Sequence, residues 1–207
     1  GTMEGDTLTA IAPDRPYYFS GGMGDDDITG GTADDFLVGG AGDDRLEGGD
    51  GDDRHIGGGG RDRFRYSMAA ETGDDTINDF MKVDLLVTDA RLRDSNGDGN
   101  IMFGANQVLD LGRGDTVAFT GLDPMSGLRF LGQLEGGDFA YADAATRPMG
   151  AIEGMLGNSM LMGGAGEQVF FFDTALGLDF GDDTITGFGA EDLLVTTTAI
   201  ADSDGDG

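Results

Sequence analysis

A nine-residue unit runs through residues 21–65 five times in unbroken phase. Its copies are GGMGDDDIT (21–29), GGTADDFLV (30–38), GGAGDDRLE (39–47), GGDGDDRHI (48–56) and GGGGRDRFR (57–65). Positions one and two are glycine throughout, and position four is glycine except at Ala33. Position six is Asp26, Asp35, Asp44, Asp53 and Asp62, and position eight is Ile28, Leu37, Leu46, His55 and Phe64. Glycine at positions one, two and four admits positive φ and close backbone approach, as a tight loop requires. The last three residues are too few for a helical turn but enough for a short strand. Neighbours in a strand face opposite ways, so only position eight can point inward. Each unit is therefore a loop plus a strand, and two units make one winding of a solenoid.

Position-six aspartates two units apart then stack on one edge, at a strand spacing of ~4.8 Å. Calcium holds oxygens at ~2.3–2.6 Å, so an oxygen–calcium–oxygen bridge spans a closely similar length. Without a cation the facing carboxylates repel. The spacing predicts three bridged pairs: Asp26 with Asp44, Asp35 with Asp53, and Asp44 with Asp62. Loop carbonyls complete each shell, from Gly22 and Gly24, Gly31 and Ala33, Gly40 and Gly42, and Gly49 and Gly51.

This run resembles the RTX, or haemolysin-type, calcium-binding nonapeptide Gly-Gly-x-Gly-x-Asp-x-apolar-x. The resemblance implies a parallel β-roll with several Ca2+ ions in its turns. It also implies export by the type I route from a Gram-negative bacterium, to the outside or the cell surface. The expected fold is all-β: a right-handed parallel β-roll extended by short strands and hairpins, and duplicated.

Composition agrees with an ion-dependent chain. Glycine accounts for 40 of 207 residues, and the net charge is −28. Such self-repulsion opposes a compact state unless counter-ions bind, and it disfavours nucleic acid and anionic membrane surfaces as partners. One inward residue per strand makes a thin core, which cannot by itself offset the chain entropy. There is no cysteine, so metal would replace disulfides as the cross-link. No apolar run approaches the ~20 residues of a membrane span, so membrane insertion is not expected.

The remaining segments are read in turn. Residues 1–20 contain a short strand at Leu8–Ile11, and Tyr17, Tyr18 and Phe19 are expected to cover the open end of the roll (21–66). Residues 67–140 form a β-rich extension, with strands at Thr76–Phe80 and Leu85–Val87 and a hairpin over 107–120 that turns at Gly112 and Gly114. A further strand is read at Leu128–Leu131. The part around 66–88 resembles the segment that follows the nonapeptides in RTX proteins, including serralysin-type proteases. Asp75, Asp79 and Asp84 occupy its acidic positions, either as metal ligands or as solvated loop residues. Asp94, Asn96 and Asp98 before Gly99 match the first half of an EF-hand loop, but the twelfth position is Ala105, where the bidentate Glu belongs. A partial calcium loop and an Asx-rich turn both remain open. Residues 141–150 read as a linker or surface loop.

Residues 151–207 repeat the architecture as a degenerate, truncated second copy. GDDTI recurs at 181–185 after 73–77, DLLVT at 192–196 after 84–88, and DSDGDG at 202–207 echoes DSNGDG at 94–99, each at an offset of 108 residues. Position six has become Ser159 and Gln168, and Gly187 stands at the place of Asp79. This copy is expected to bind little calcium and to lean on its apolar residues, with Asp183, Asp192, Asp202, Asp204 and Asp206 as weaker candidates.

Catalytic signals are missing. There is no HExxH and no Gly-x-Ser-x-Gly, and the one histidine, His55, takes an apolar slot. The reading is a non-catalytic calcium-binding module that folds on meeting extracellular calcium. Its alternatives are an accessory module of a secreted hydrolase or epimerase, and a structural unit of an adhesin or surface-layer protein. Exposed strand edges in the second copy fit self-association, and the hairpin region is a candidate surface for a cell-surface glycan.

Overall fold

A computed structural model describes residues 1–95, 97–103, 106–120, 127–148 and 150–198. The chain divides into two compact units, Gly1–Ala145 and Thr146–Gly207. Among the described residues no helix is long and apolar enough to cross a membrane.

The first unit winds as the nonapeptide period predicts. Its first nine strands are β1 (Thr7–Thr9), β2 (Tyr18–Met23), β3 (Asp27–Thr29), β4 (Phe36–Ala41), β5 (Arg45–Glu47), β6 (Arg54–Gly59), β7 (Arg63–Tyr66), β8 (Asp74–Ile77) and β9 (Leu85–Thr88). Odd strands stack in parallel in one sheet, and even strands in another. Within the repeats the register pairs Ile28 with Leu46, Leu46 with Phe64, and Leu37 with His55, so each winding takes two units. The inward residues form two rows. One runs Leu8, Ile28, Leu46, Phe64, Leu86, and the other Phe19, Leu37, His55, Ile77, Phe119. Ile28, Leu37, Leu46 and Phe64 are fully buried.

The two sides of the roll are unequal. β3 and β5 stop after three residues, whereas β4 and β6 run six residues, through the glycine pair of the following unit. Pairing continues there because Gly22, Gly40 and Gly58 stand in register with one another. The N-terminal segment also does more than cover an end. Leu8 and Phe19 fall in register with Ile28 and Leu37, so β1 and β2 form a winding of their own. Tyr17 stacks on Phe19 at 4.9 Å.

Beyond the repeats the next winding is longer. His55 pairs with Ile77 and Phe64 with Leu86; the four extra residues are accommodated between Phe64 and Ile77. The parallel roll then closes with antiparallel strands: β10 (Asn100–Ile101), β11 (Val108–Gly112), β12 (Asp115–Phe119), β13 (Leu128–Gln133) and β14 (Phe139–Asp143). The β11–β12 hairpin turns through Gly112, Arg113 and Gly114, all at positive φ. β12 lies parallel on β8, and β14 lies antiparallel on β9. Residues 141–143 are thus no linker. Tyr141 and Ala142 are fully buried, and the Tyr141 hydroxyl accepts a 2.7 Å hydrogen bond from the Leu92 amide. The sequence Ala-Tyr-Ala carries no strong strand signal, yet its small residues let β14 lie between β9 and β13.

The second unit contains β15 (Ile152–Glu153), β16 (Met160–Met162), β17 (Val169–Phe172), β18 (Thr184–Thr186) and β19 (Leu193–Thr196). All pair in parallel, as β15–β17–β19 and β16–β18. Leu161 and Phe170, the position-eight residues of this copy, are buried.

Candidate metal centre

The position-six aspartates stand in two ladders, each rung made by backbone. The Asp26 amide donates to Asp44 Oδ1 at 2.8 Å, Asp44 to Asp62 at 3.0 Å, and Asp62 to Asp84 at 3.0 Å. On the opposite edge Asp35 donates to Asp53 and Asp53 to Asp75, both at 2.7 Å. The pairs expected from the spacing are therefore neighbours, each joined by an N–H to Oδ1 contact. Each such carboxylate is drawn inward to reach the preceding winding, and Asp26, Asp35, Asp44, Asp53, Asp62, Asp75 and Asp84 are all buried.

The second oxygen is the telling one. Oδ2 of Asp26, Asp44, Asp53 and Asp62 is buried with no hydrogen-bond partner. A buried anionic oxygen without a donor is costly. Burial pushes Asp44 up to about 6 and Asp53 and Asp62 up to about 7, and the neighbouring carboxylates push the same way, while the backbone N–H of the preceding winding opposes. Asp75 rises to about 8 and Asp84 to about 6, again chiefly by burial. Unsatisfied, inward-held carboxylate oxygens on successive windings fit a hard divalent cation, whose charge would remove this penalty. Among the described residues no three His, Cys, Asp or Glu side chains gather for a metal. An ion here would draw on backbone oxygens as well.

Two kinds of glycine shape these loops. Positions two and four adopt positive φ, as at Gly40 (129°) and Gly42 (135°). A Cβ there would also lie 2.2 Å from the Gly22 oxygen and 2.3 Å from the Gly24 oxygen. Position one differs from the expectation: Gly21, Gly30, Gly39, Gly48 and Gly57 have no positive φ. They are glycine because the carboxylate sits against them. A Cβ on Gly39 would lie 2.2 Å from Asp44 Oδ2 and 2.6 Å from the Gly57 oxygen. Gly31 also lacks positive φ, and its carbonyl accepts the Asp50 amide at 3.0 Å.

The second unit shows where the loop carbonyls aim. The Ser159 hydroxyl lies 3.2 Å from the Met155 carbonyl and 3.4 Å from the Gly157 carbonyl, and accepts from the Met155 amide at 3.1 Å. Those carbonyls belong to positions two and four of that unit. They converge on the position-six side chain, where the hydroxyl proton serves one or the other. In the first roll the corresponding oxygens belong to Gly22 and Gly24, Gly40 and Gly42, Gly49 and Gly51, and Gly31 and Ala33. The backbone ladder persists in this copy, since Ser159 and Gln168 donate to Asp183 Oδ1 (2.7 Å) and Asp192 Oδ1 (2.9 Å). Asp183 Oδ2 is buried without a partner, while Asp192 Oδ2 accepts from Gly189. Asp202, Asp204 and Asp206 lie outside the described residues.

Several sequence candidates serve the backbone. Asp79 receives the Gly57 and Gly58 amides on its two oxygens, both at 2.8 Å. Asp84 receives Met81 on its second oxygen at 2.7 Å. Asp94 takes the Gly97 and Gly99 amides at 2.8 and 2.7 Å, and Asp98 takes Asn100 at 2.8 Å, so both shape an Asx-rich turn. Asn96 and Ala105 lie outside the described residues. His55 is 1% exposed, its Nδ1 is 3.2 Å from the Tyr66 hydroxyl, and burial lowers its pKa to about 4.

Position five was not singled out from sequence, though Asp25, Asp34, Asp43 and Asp52 recur there. Its ladder runs the other way. Asp25 accepts from the Asp43 amide (2.8 Å), Asp43 from Arg61 (2.9 Å), Asp34 from Asp52 (3.0 Å) and Asp52 from Asp74 (2.9 Å). These carboxylates reach forward to the next winding, while position six reaches back. The Arg61 guanidinium on Asp43 holds that carboxyl below its usual range.

The family of the RTX calcium-binding nonapeptide repeat, taken as a block of four copies, matches residues 20–54 and again 29–64. No curated protein matches the chain.

Proposed function

We propose, from a chain whose residues 20–64 are RTX calcium-binding nonapeptide repeats, that this protein is a non-catalytic module that folds on binding extracellular calcium. Its parent would be a secreted bacterial protein of RTX type. The observation that carries the reading is the set of buried, partnerless Oδ2 atoms on Asp26, Asp44, Asp53 and Asp62. Unpaired, these carboxylates destabilise the wound state; calcium, when bound, supplies the missing charge and takes further oxygens from the loops. The chain's own part is positional. The amide of the preceding winding fixes Oδ1, and position one leaves room for Oδ2. The carbonyls of positions two and four, which converge on Ser159 in the second unit, are the loop oxygens closest in kind to a shared site.

The magnitudes suit a switch. A site held at a hundred times its dissociation constant adds ~2.7 kcal/mol, so three add ~8, comparable to the stability of a whole domain. Where calcium is scarce the loops remain unwound, and where it is abundant they lock.

Calorimetric titration of the full chain, with far-UV circular dichroism before and after metal removal, tests this. The expected result is several ions bound and a β signal that appears with them. A β signal indifferent to metal removal would reject the reading.

A further inference from the structure

The second copy repeats the strands of the first without their cover. At the offset of 108 residues, β18 and β19 correspond to β8 and β9, and Phe188 to Phe80. In the first unit β12 pairs along the outer edge of β8, and β14 along that of β9. Phe119 of β12 packs edge-on against Phe80 at 5.3 Å, and Tyr141 of β14 stands opposite Leu86. Phe80 and Leu85 are 2% exposed and Leu86 0%.

Among the described residues β18 and β19 have no outer neighbour. Phe188 and Leu193 are 50% exposed and Leu194 46%. The inner ring pair is nonetheless kept: Phe64–Phe80 at 5.9 Å has its counterpart in Phe170–Phe188 at 5.6 Å. Among the described residues, the third ring, the one Phe119 supplies, has no counterpart there. An open cleft of about 440 Å³ lies over this end, lined by Phe172, Phe180, Ile185 and Leu194 among others.

We propose that the outer edges of β18 and β19 are a docking surface for a polypeptide segment of the β11–β14 kind. The occupant adds a strand parallel to β18 that sets an aromatic ring on Phe188. It adds a second strand antiparallel to β19 that sets an aromatic residue opposite Leu194. Main-chain pairing gives the affinity, and the two aromatic positions give the selectivity. A second copy of the whole chain is a poorer occupant, because each carries a net charge of −28.

The test is to append residues 100–145 after Gly207, where the offset brings them into register, and to follow amide hydrogen exchange in excess calcium. Exchange across residues 184–196 is expected to slow at least tenfold relative to the unextended chain, approaching that of residues 74–88. Residues 74–88 report in the same sample that the first unit is folded. No slowing at 184–196 while 74–88 stay protected would overturn the proposal. Equal slowing by an extension of scrambled order would overturn it too, as would a dimer of the unextended chain in sedimentation with 184–196 already protected.

Discussion

The repeat roll and the second copy use one backbone ladder but differ in charge at position six, and among its described residues the second copy keeps a single buried, unpartnered carboxylate oxygen, Asp183 Oδ2. In both, an amide of one winding donates to the Oδ1 of the next, as Asp53 does to Asp75 and Ser159 to Asp183. In the roll, positions five and six are both aspartate for four units, and Oδ2 is buried alone on Asp26, Asp44, Asp53 and Asp62, whereas Asp35 Oδ2 takes the Gly31 amide at 2.7 Å. In the second copy they are Asn158 and Ser159. Asn158 accepts the Asp182 amide at 2.9 Å, and Ser159 closes its own loop through a neutral hydroxyl. The same turn can therefore be held by a neutral hydrogen bond or left incomplete until a cation arrives. Under the proposed function, the charged version adds a dependence on calcium that a hydroxyl cannot supply.

The strongest way to break this comparison is to take calcium away. Amides of residues 27–66 are expected to lose protection by several orders of magnitude, while those of 160–172 change by less than tenfold, read by hydrogen exchange. Equal loss in both regions would erase the distinction. Next in size is Asp44→Ala, since Asp44 belongs to two of the expected pairs. It should remove more than one ion equivalent in calorimetry, whereas Ser159→Ala should leave the ion count unchanged and cost about 1 kcal/mol.

Glycine substitutions sharpen the contrast further. Gly39→Ala drives a methyl group to within 2.2 Å of Asp44 Oδ2, so it should weaken both calcium affinity and stability, by about 2–3 kcal/mol in the folded state. Gly164→Ala, with nothing within 4 Å of its Cβ, should stay within about 0.5 kcal/mol in thermal denaturation.

The smallest expected effect is in pH. Burial raises Asp44, Asp53, Asp62, Asp75 and Asp84 to between about 6 and about 8. Their folded values exceed the unfolded one, so the folded state holds more protons. The contribution is complete below the unfolded carboxyl value and is lost as pH rises through 6–8. Metal-free protein, stripped by resin rather than chelator, should show more far-UV β signal at pH 5 than at pH 8. Saturating calcium should flatten or reverse that slope.

Much of the roll was legible because its information is local and periodic. Position eight put Ile28, Leu37, Leu46 and Phe64 in the core, and position six put Asp26 through Asp62 on the edges. The hairpin turn at Gly112–Gly114 was equally readable from its glycines. Position five was visible as a recurrence but not as a role, since its direction of reach depends on which winding lies above it. Position one misled in a subtler way: glycine there answers to a neighbouring carboxylate, not to φ. Asp79 and Asp94 each accept two backbone amides, a role that the letter Asp does not distinguish from metal binding.

The amino-acid order alone determined the winding number per unit, the inward rows and the acidic edges, because each follows from a period of nine. Tertiary structure alone decided how the roll ends and which oxygens are left over. Tyr141 meets Leu86, and Val117 meets Asp75, across separations that no local period encodes. Likewise, whether a carboxylate oxygen is satisfied depends on the amide of another winding, and that amide is positioned only once the chain has closed upon itself.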